Sequence, residues 1–559
     1  MPQPATHTIH VAFRCDGLTG EFQDFKMAAW MPGYYRIMDY ERYVSNFHAA
    51  DATGHSLPFE KVTKNTWRVV TANAPSVILN YDVAAAATTF AAQNFLAETR
   101  AFLAPPGLFL YVSGQLQHRV TVVIKLPAGW TTIATGLDPV PGRRNTFTAP
   151  NFDILLDCPI LMGSQELLRF DLRGHAHSVA IEDVPANVSR DKMLADLKRV
   201  VDAATKLIGE IPYSHYTFLL MGRGNGGIEH LNSAAIAFNG NSLSTDAGYR
   251  RWLSYVAHEY FHNFNVKRIR PIALGPFDYD TENLTNMLWV SEGLSVYYQD
   301  LVTVRAGLVT PDQYLDTMKS AIASFQNASG HRYQSATESS WNTWGTSGVG
   351  NDRNTTISYY NNGGMLGAML DLAIRHQSQN RWSLDDVMRA LYRTYYKQKK
   401  RGFTDAEFRQ ACESAAGAPL DEIFQYASTS REMDYARYFA YAGLDVTCTS
   451  EDAPGGYIGV NTSTRDGKLA ITDVIPASPG AQAGITTADQ ILEVDGAKAT
   501  AKALNDALVP GAAVKLKLAR GMVEVPVAKN SKRTYTIQRS ANPTPLQSAI
   551  LKDWLRTAQ

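Results

Sequence analysis

Hydrophobic and polar positions alternate through the first third of the chain. The alternation predicts strands over Thr8–Phe13, Thr66–Val70 and Val77–Val83, with a β-branched run at Val120–Leu126. Turn clusters at Ala104-Pro105-Pro106-Gly107 and Pro139-Val140-Pro141-Gly142 separate such runs, so residues 1–167 read as a β-rich unit, an antiparallel sandwich or saddle. Within it, Trp30-Met31-Pro32-Gly33-Tyr34-Tyr35 reads as a packed aromatic turn.

From Ser189 the period changes from two to 3.6. Ser189 is placed to cap a helix whose Met193, Leu197, Val200, Val201 and Leu207 form one apolar stripe, and Tyr216–Met221 reads as a buried strand. Helical patterning returns over Asp312–Phe325, Gly364–His376, Ser383–Lys397 and Thr404–Ala415, with Ser383 and Thr404 as caps. The polar residues Gly330–Asn354 between the first two predict a long loop. Short strands and turns resume over 445–528, and Pro545–Arg556 predicts a last helix.

A length of 559 residues predicts several cores rather than one. Lys+Arg and Asp+Glu each count 53, so the chain lacks the basic excess of a nucleic-acid binder. Cys15, Cys158, Cys412 and Cys448 include no C-x-x-C pair, which excludes a cysteine zinc site and a redox dithiol. No apolar run reaches the length of a membrane span. The opening Met1-Pro2-Gln3-Pro4 lacks the basic and apolar regions of a secretory signal. The expectation is a soluble protein, either cytosolic or, if a leader has been removed, periplasmic or secreted.

The candidate chemistry lies in His258-Glu259-Tyr260-Phe261-His262. Two histidines at i and i+4 share one helical face and can grip one metal ion, zinc by this pattern. Glu259 follows the first histidine, where a carboxylate can take a proton from the attacking water. A catalytic zinc needs a third protein ligand, and Glu292 in Trp289-Val290-Ser291-Glu292-Gly293 is the best candidate. It follows His262 after 29 intervening residues, enough for a connection and a second helix. Arg268 and Arg270 read as exposed helix-end cations, with contact to a substrate carboxylate as the alternative. Gly222-Arg223-Gly224-Asn225-Gly226-Gly227 lacks the G-K-[ST] ending of a phosphate loop.

His258–His262 with Trp289-x-x-Glu292-Gly293 resembles the gluzincin metallopeptidases. Gly226-Gly227-Ile228-Glu229-His230 is similar to their G-x-M-E-N segment, with Ile for Met and His for Asn. Trp30-Met31-Pro32-Gly33-Tyr34-Tyr35 resembles the W-x-P-G-x-Y of the glycyl aminopeptidase family. Gly456-Tyr457-Ile458-Gly459-Val460, Ser478–Ile485 and Asp489–Gly496 resemble a PDZ core.

The resemblance implies a multidomain α+β chain. Its β-rich N-terminal domain would span 1–167 and a thermolysin-like catalytic domain, a mixed sheet lobe plus a helical lobe, 168–443. A PDZ-like domain at 444–530 and a tail with one helix at 531–559 would complete it. It implies an aminopeptidase with one Zn2+ on His258, His262 and Glu292, and Glu259 as general base. Glu229, with Gly226 and Gly227, would receive the substrate's free α-amino group. Tyr360 would donate to the oxyanion, Tyr359 being the reserve, although Asn362 stands where the family's Y-x-K-G has lysine. The implied substrates are peptides with a free N-terminus and small first residues, glycine or alanine. The PDZ loop Tyr457, Ile458, Gly459 and Val460 would receive peptide C-termini. Two other readings stay open: a zinc endopeptidase in which Glu229 is structural, and an inactive peptidase fold that binds peptides.

Overall fold

A computed structural model describes residues 3–87, 92–345, 352, 354–465 and 468–556. The fold is α+β, with a strand-rich N-terminal region, a mixed central sheet under a helical lobe, and a C-terminal strand-rich unit. The N-terminal strands form small antiparallel sheets, one ordered Thr8–Asp16, Ser76–Ala84, Val44–Asp51, in keeping with their period-two pattern.

The central sheet positions the site. Its strands are β1 (Glu166–Leu172), β2 (His175–Glu182), β3 (His215–Met221), β4 (Gly226–Glu229) and β5 (Ser233–Ala237), in the spatial order β1-β2-β3-β5-β4. β2, β3 and β5 run parallel, and the edge strands β1 and β4 run antiparallel to their neighbours. Alternate residues serve two cores. Val179, Phe218, Leu220 and Ile236 face the helices, whereas Ala180, Leu219, Met221 and Ala235 pack on the N-terminal strands. With both faces covered, β3 is a continuous apolar run rather than an alternating one.

The helical lobe carries α1 (Arg190–Ile208), α2 (Asp246–Phe261), α3 (Leu294–Arg305), α4 (Pro311–Gln326) and α5 (Tyr359–Gln377). Ser189 Oγ accepts the Lys192 N–H and Thr245 Oγ1 the Gly248 N–H, capping α1 and α2. Ser383 and Thr404 each close a capping box on the next two helical segments.

The expected loop at Gly330–Asn354 is partly helical. Ala336–Trp341 forms a short helix closed by the Ser335–Glu338 capping box, while residues 346–351 and 353 lie outside the described residues. The last helix, Pro545–Trp554, returns to the helical lobe, where Trp554 Nε1 donates to Tyr297 Oη at 2.9 Å. The C-terminal strand-rich unit hangs on a ribbon of Leu444–Tyr457 and Ala528–Arg539, and it has its own core around Ile458, Leu469, Ile491 and Val514. Among the described residues no helix is long and apolar enough to cross a membrane. The four cysteines are free thiols.

Candidate active site

α2 ends on Phe261, with His262 as its C-cap, so His258 and His262 project from one face of its last turn. Their Nε2 atoms lie 3.0 Å apart. Residues Trp289–Gly293 form a π turn ahead of α3, and this turn carries Glu292 back to them. Glu292 Oε2 stands 3.1 Å from His262 Nε2 and 3.6 Å from His258 Nε2. Two nitrogens and an oxygen bound at zinc's usual 2.0–2.2 Å in a tetrahedron would be about 3.3 Å apart, so the three donor atoms fit such an ion and leave a fourth position open. His258, His262 and Glu292 are the one such donor group among the described residues.

The surrounding structure orients these donors. Asn265 O and Ser295 Oγ lie 2.8 and 3.2 Å from His262 Nδ1, a placement that makes Nδ1 the N–H donor and leaves Nε2 for the ion. Asn265 Nδ2 donates to the Val290 and Ser291 carbonyls and to Ser295 Oγ, which ties the histidine turn to the Glu292 turn. Tyr35 Oη, from the N-terminal region, donates to Glu292 Oε1 at 3.2 Å.

Glu259 points from the same helix toward β4. Burial pushes its carboxyl up to about 8; His262 pulls the other way, and Glu229 and Glu292 add to the rise. Burial opposes a charge on His262, but the neighbouring carboxylates, Glu292 first, outweigh it and push the imidazole up to about 10. Three carboxyl groups, those of Glu229, Glu259 and Glu292, are buried around the two imidazoles.

Glu229 ends β4, buried, with Lys267 Nζ 3.7 Å from its Oε1. Lys267 is held more closely by Asp157 at 2.8 Å, and Asp157 also faces His230 Nδ1 at 3.2 Å. A cavity of about 230 Å³ adjoins Glu229, lined by Tyr35, Lys267, Arg270, Phe277 and Tyr396 among others. Gly226 and Gly227 precede Glu229 on β4. A β-carbon at Gly227 would meet Glu259 Oε1 inside contact distance and stand 2.7 Å from Tyr255 Oη.

Tyr360 lies at the start of α5, its ring 6.2 Å from that of His258. Tyr359 stacks on it at 4.8 Å, and its hydroxyl lies 3.1 Å from Thr343 Oγ1. Arg268 departs from the exposed cation expected: it is 4% exposed and donates to the carbonyls of Leu231, Asn263 and Pro212. Arg270 is half-buried over the Phe277 ring. Tyr457, Ile458, Gly459 and Val460 lie in the C-terminal unit, where Gly480 N donates to Ile458 O and Ile475 N to Gly459 O. Sequence reasoning missed Lys267 and Asn265, and it gave Tyr35 only a place in the packed W-x-P-G-x-Y turn.

A helix with two metal-donor histidines, a carboxylate one π turn before the next helix, and a glutamate on the facing sheet edge define a metallopeptidase site. Family models bear this out: the Peptidase M61 N-terminal domain matches residues 1–164, the M61 glycyl aminopeptidase matches 251–366, and a PDZ domain matches 456–529. The chain carries an M61 N-terminal domain and an M61 glycyl aminopeptidase domain, and it is a metalloaminopeptidase, a hydrolase of peptide bonds. Its fold is similar to the crystal structure of an aminopeptidase N family protein from Idiomarina loihiensis, at 26% identity and a TM-score of 0.86 over 98% of this chain and 97% of that one. An M1 zinc metallopeptidase from Deinococcus radiodurans matches at 12% identity and a TM-score of 0.48, over 76% of this chain and 91% of that one. No curated protein matches.

Proposed function

We propose that the chain is a zinc aminopeptidase that removes small first residues, glycine and alanine, from peptides with a free N-terminus. The convergence of His258 Nε2, His262 Nε2 and Glu292 Oε2 within 3.0 to 3.6 Å carries the reading. These residues would hold one zinc ion, which would supply a Lewis acid for water and for the scissile carbonyl.

The chain's own groups do the rest. Glu259, ionised when the metal is bound, takes a proton from the attacking water and returns it to the leaving amine. Glu229 accepts the substrate ammonium, a charge-assisted contact that an internal peptide bond cannot make. Tyr360 donates its phenol to the oxyanion. Gly227 lets β4 approach Glu259. The preference for glycine is supported by the match of residues 251–366 to the M61 glycyl aminopeptidase model.

In the same reading residues 168–443 carry the chemistry and 1–167 wall the cleft. The PDZ-like unit, 444–530, receives peptide C-termini on the loop Tyr457–Val460 by strand addition. The Glu259→Gln variant tests the mechanism. It should keep zinc at the wild-type ratio and lose turnover by about a hundredfold or more. Wild-type turnover in that variant would remove Glu259 from the mechanism.

A further inference from the structure

We propose that Tyr35, carried by the N-terminal region, is a positioning residue for the metal site, fixing Glu292 through its non-ligating oxygen. The inference rests on the reading of His258, His262 and Glu292 as zinc ligands. Glu292 divides its two oxygens: Oε2 faces both imidazoles, and Oε1 receives the Tyr35 hydroxyl at 3.2 Å. Glu292 is buried, and Tyr35 is half-buried at the edge of the cavity beside Glu229. A ligating carboxylate with one free oxygen swings about its Cγ–Cδ bond. A donor on that oxygen holds the other on the ion.

The turn that carries Tyr35 is built to hold it there. Trp30 Nε1 donates to Asp278 O at 2.8 Å, and its ring meets Phe277 and Trp344 edge-on at 5.1 and 5.0 Å. Ala29 N donates to Tyr279 O at 2.7 Å, which pins the same stretch to the catalytic region. Gly33, at φ +87°, lies so close to β4 that a β-carbon would stand 2.7 Å from Glu229 Oε2. Trp344 then packs edge-on against Tyr35 at 6.0 Å. Trp30 anchors, Gly33 permits the approach, and Tyr35 delivers its hydroxyl to Glu292.

Tyr35→Phe removes one hydroxyl and keeps the ring packing. Zinc affinity of the full chain, read by competition with a chelator, should fall about tenfold or more. The melting temperature of the metal-free protein should stay close to wild type. A zinc affinity within twofold of wild type would overturn the proposal, as would a loss confined to metal-free stability. Trp30→Phe is the second variant: it cuts the Asp278 tether without touching Glu292 and should weaken zinc in the same direction, an unchanged affinity counting against the proposal even if Tyr35→Phe fails to fold. The wild-type protein separates the two levels. If it holds no zinc, the proposed function fails; if it holds zinc and both variants match it, only the role of Tyr35 fails.

Discussion

Gly227 on β4 and Glu259 on α2 meet so closely that no β-carbon fits between them. The sheet edge is thereby pressed against the general base, and the space left over belongs to water and substrate. Gly227→Ala should displace the Glu259 carboxylate by a fraction of an ångström to one ångström. A shift of that size costs up to about a hundredfold in turnover. Steady-state kinetics with zinc content measured in parallel checks this: kcat should fall while zinc stays at the wild-type ratio. Wild-type kcat would mean that Glu259 is not confined by β4.

A second close approach fixes the ligand carboxylate. A β-carbon on Gly363 of α5 would stand 2.8 Å from Gly293 Cα and collide with the Trp289 carbonyl. The turn bearing Glu292 therefore packs backbone to backbone on the helix bearing Tyr360. Gly363→Ala should destabilise the chain by about 1–3 kcal/mol, as overpacking does. Thermal unfolding should show a lower midpoint, and an unchanged midpoint would contradict the contact.

The motif helix also hands the protein a pH dependence. Tyr260 hydrogen-bonds Tyr213, Tyr213 Oη lies 3.0 Å from His177 Nε2, and burial lowers His177 to about 4. Unfolded, the same imidazole titrates near 6.5. Between those values the unfolded chain binds the extra proton, so the stability is full above pH 6.5 and is lost as pH falls through 4. This one group removes about 3 kcal/mol by pH 4. His177→Gln should flatten the fall in urea midpoint between pH 7 and 4.5. The same slope in variant and wild type would exclude His177 as its source.

Much of this molecule can be read from sequence wherever the signal is local. His258, Glu259 and His262 declare themselves because a helix brings i and i+4 together, and Ser189, Ser383 and Thr404 because a cap acts within four residues. Glu292 needs only a spacing and a compatible neighbour. The contacts that finish the site carry no such signal. Tyr35 and Glu292 are 257 positions apart, and Gly33 reaches Glu229 only because the N-terminal strands share a core with the outer face of the sheet.

Composition misled in two places. Ser335-x-x-Glu338 is a capping box inside a polar stretch read as loop, and its helix forms regardless. α5 starts at Tyr359 rather than Gly364, because packing on Gly293 outweighs the poor helix propensity of Asn361, Asn362, Gly363 and Gly364. Arg268 went astray for a related reason: its carbonyl partners come from three separate loops, which no window of sequence shows together.

The central claim is a zinc site joined to an amine-binding carboxylate. Its most direct test compares glycyl anilide with N-acetylglycyl anilide, using wild type and Glu229→Gln of known zinc content. Wild type should hold one zinc and cleave only the free amine. Glu229→Gln should keep the zinc and lose about ten- to a hundredfold in kcat/KM on the free amine, the worth of a charged hydrogen bond. Cleavage of both substrates at equal rates by wild type, or no effect of Glu229→Gln, would contradict the account.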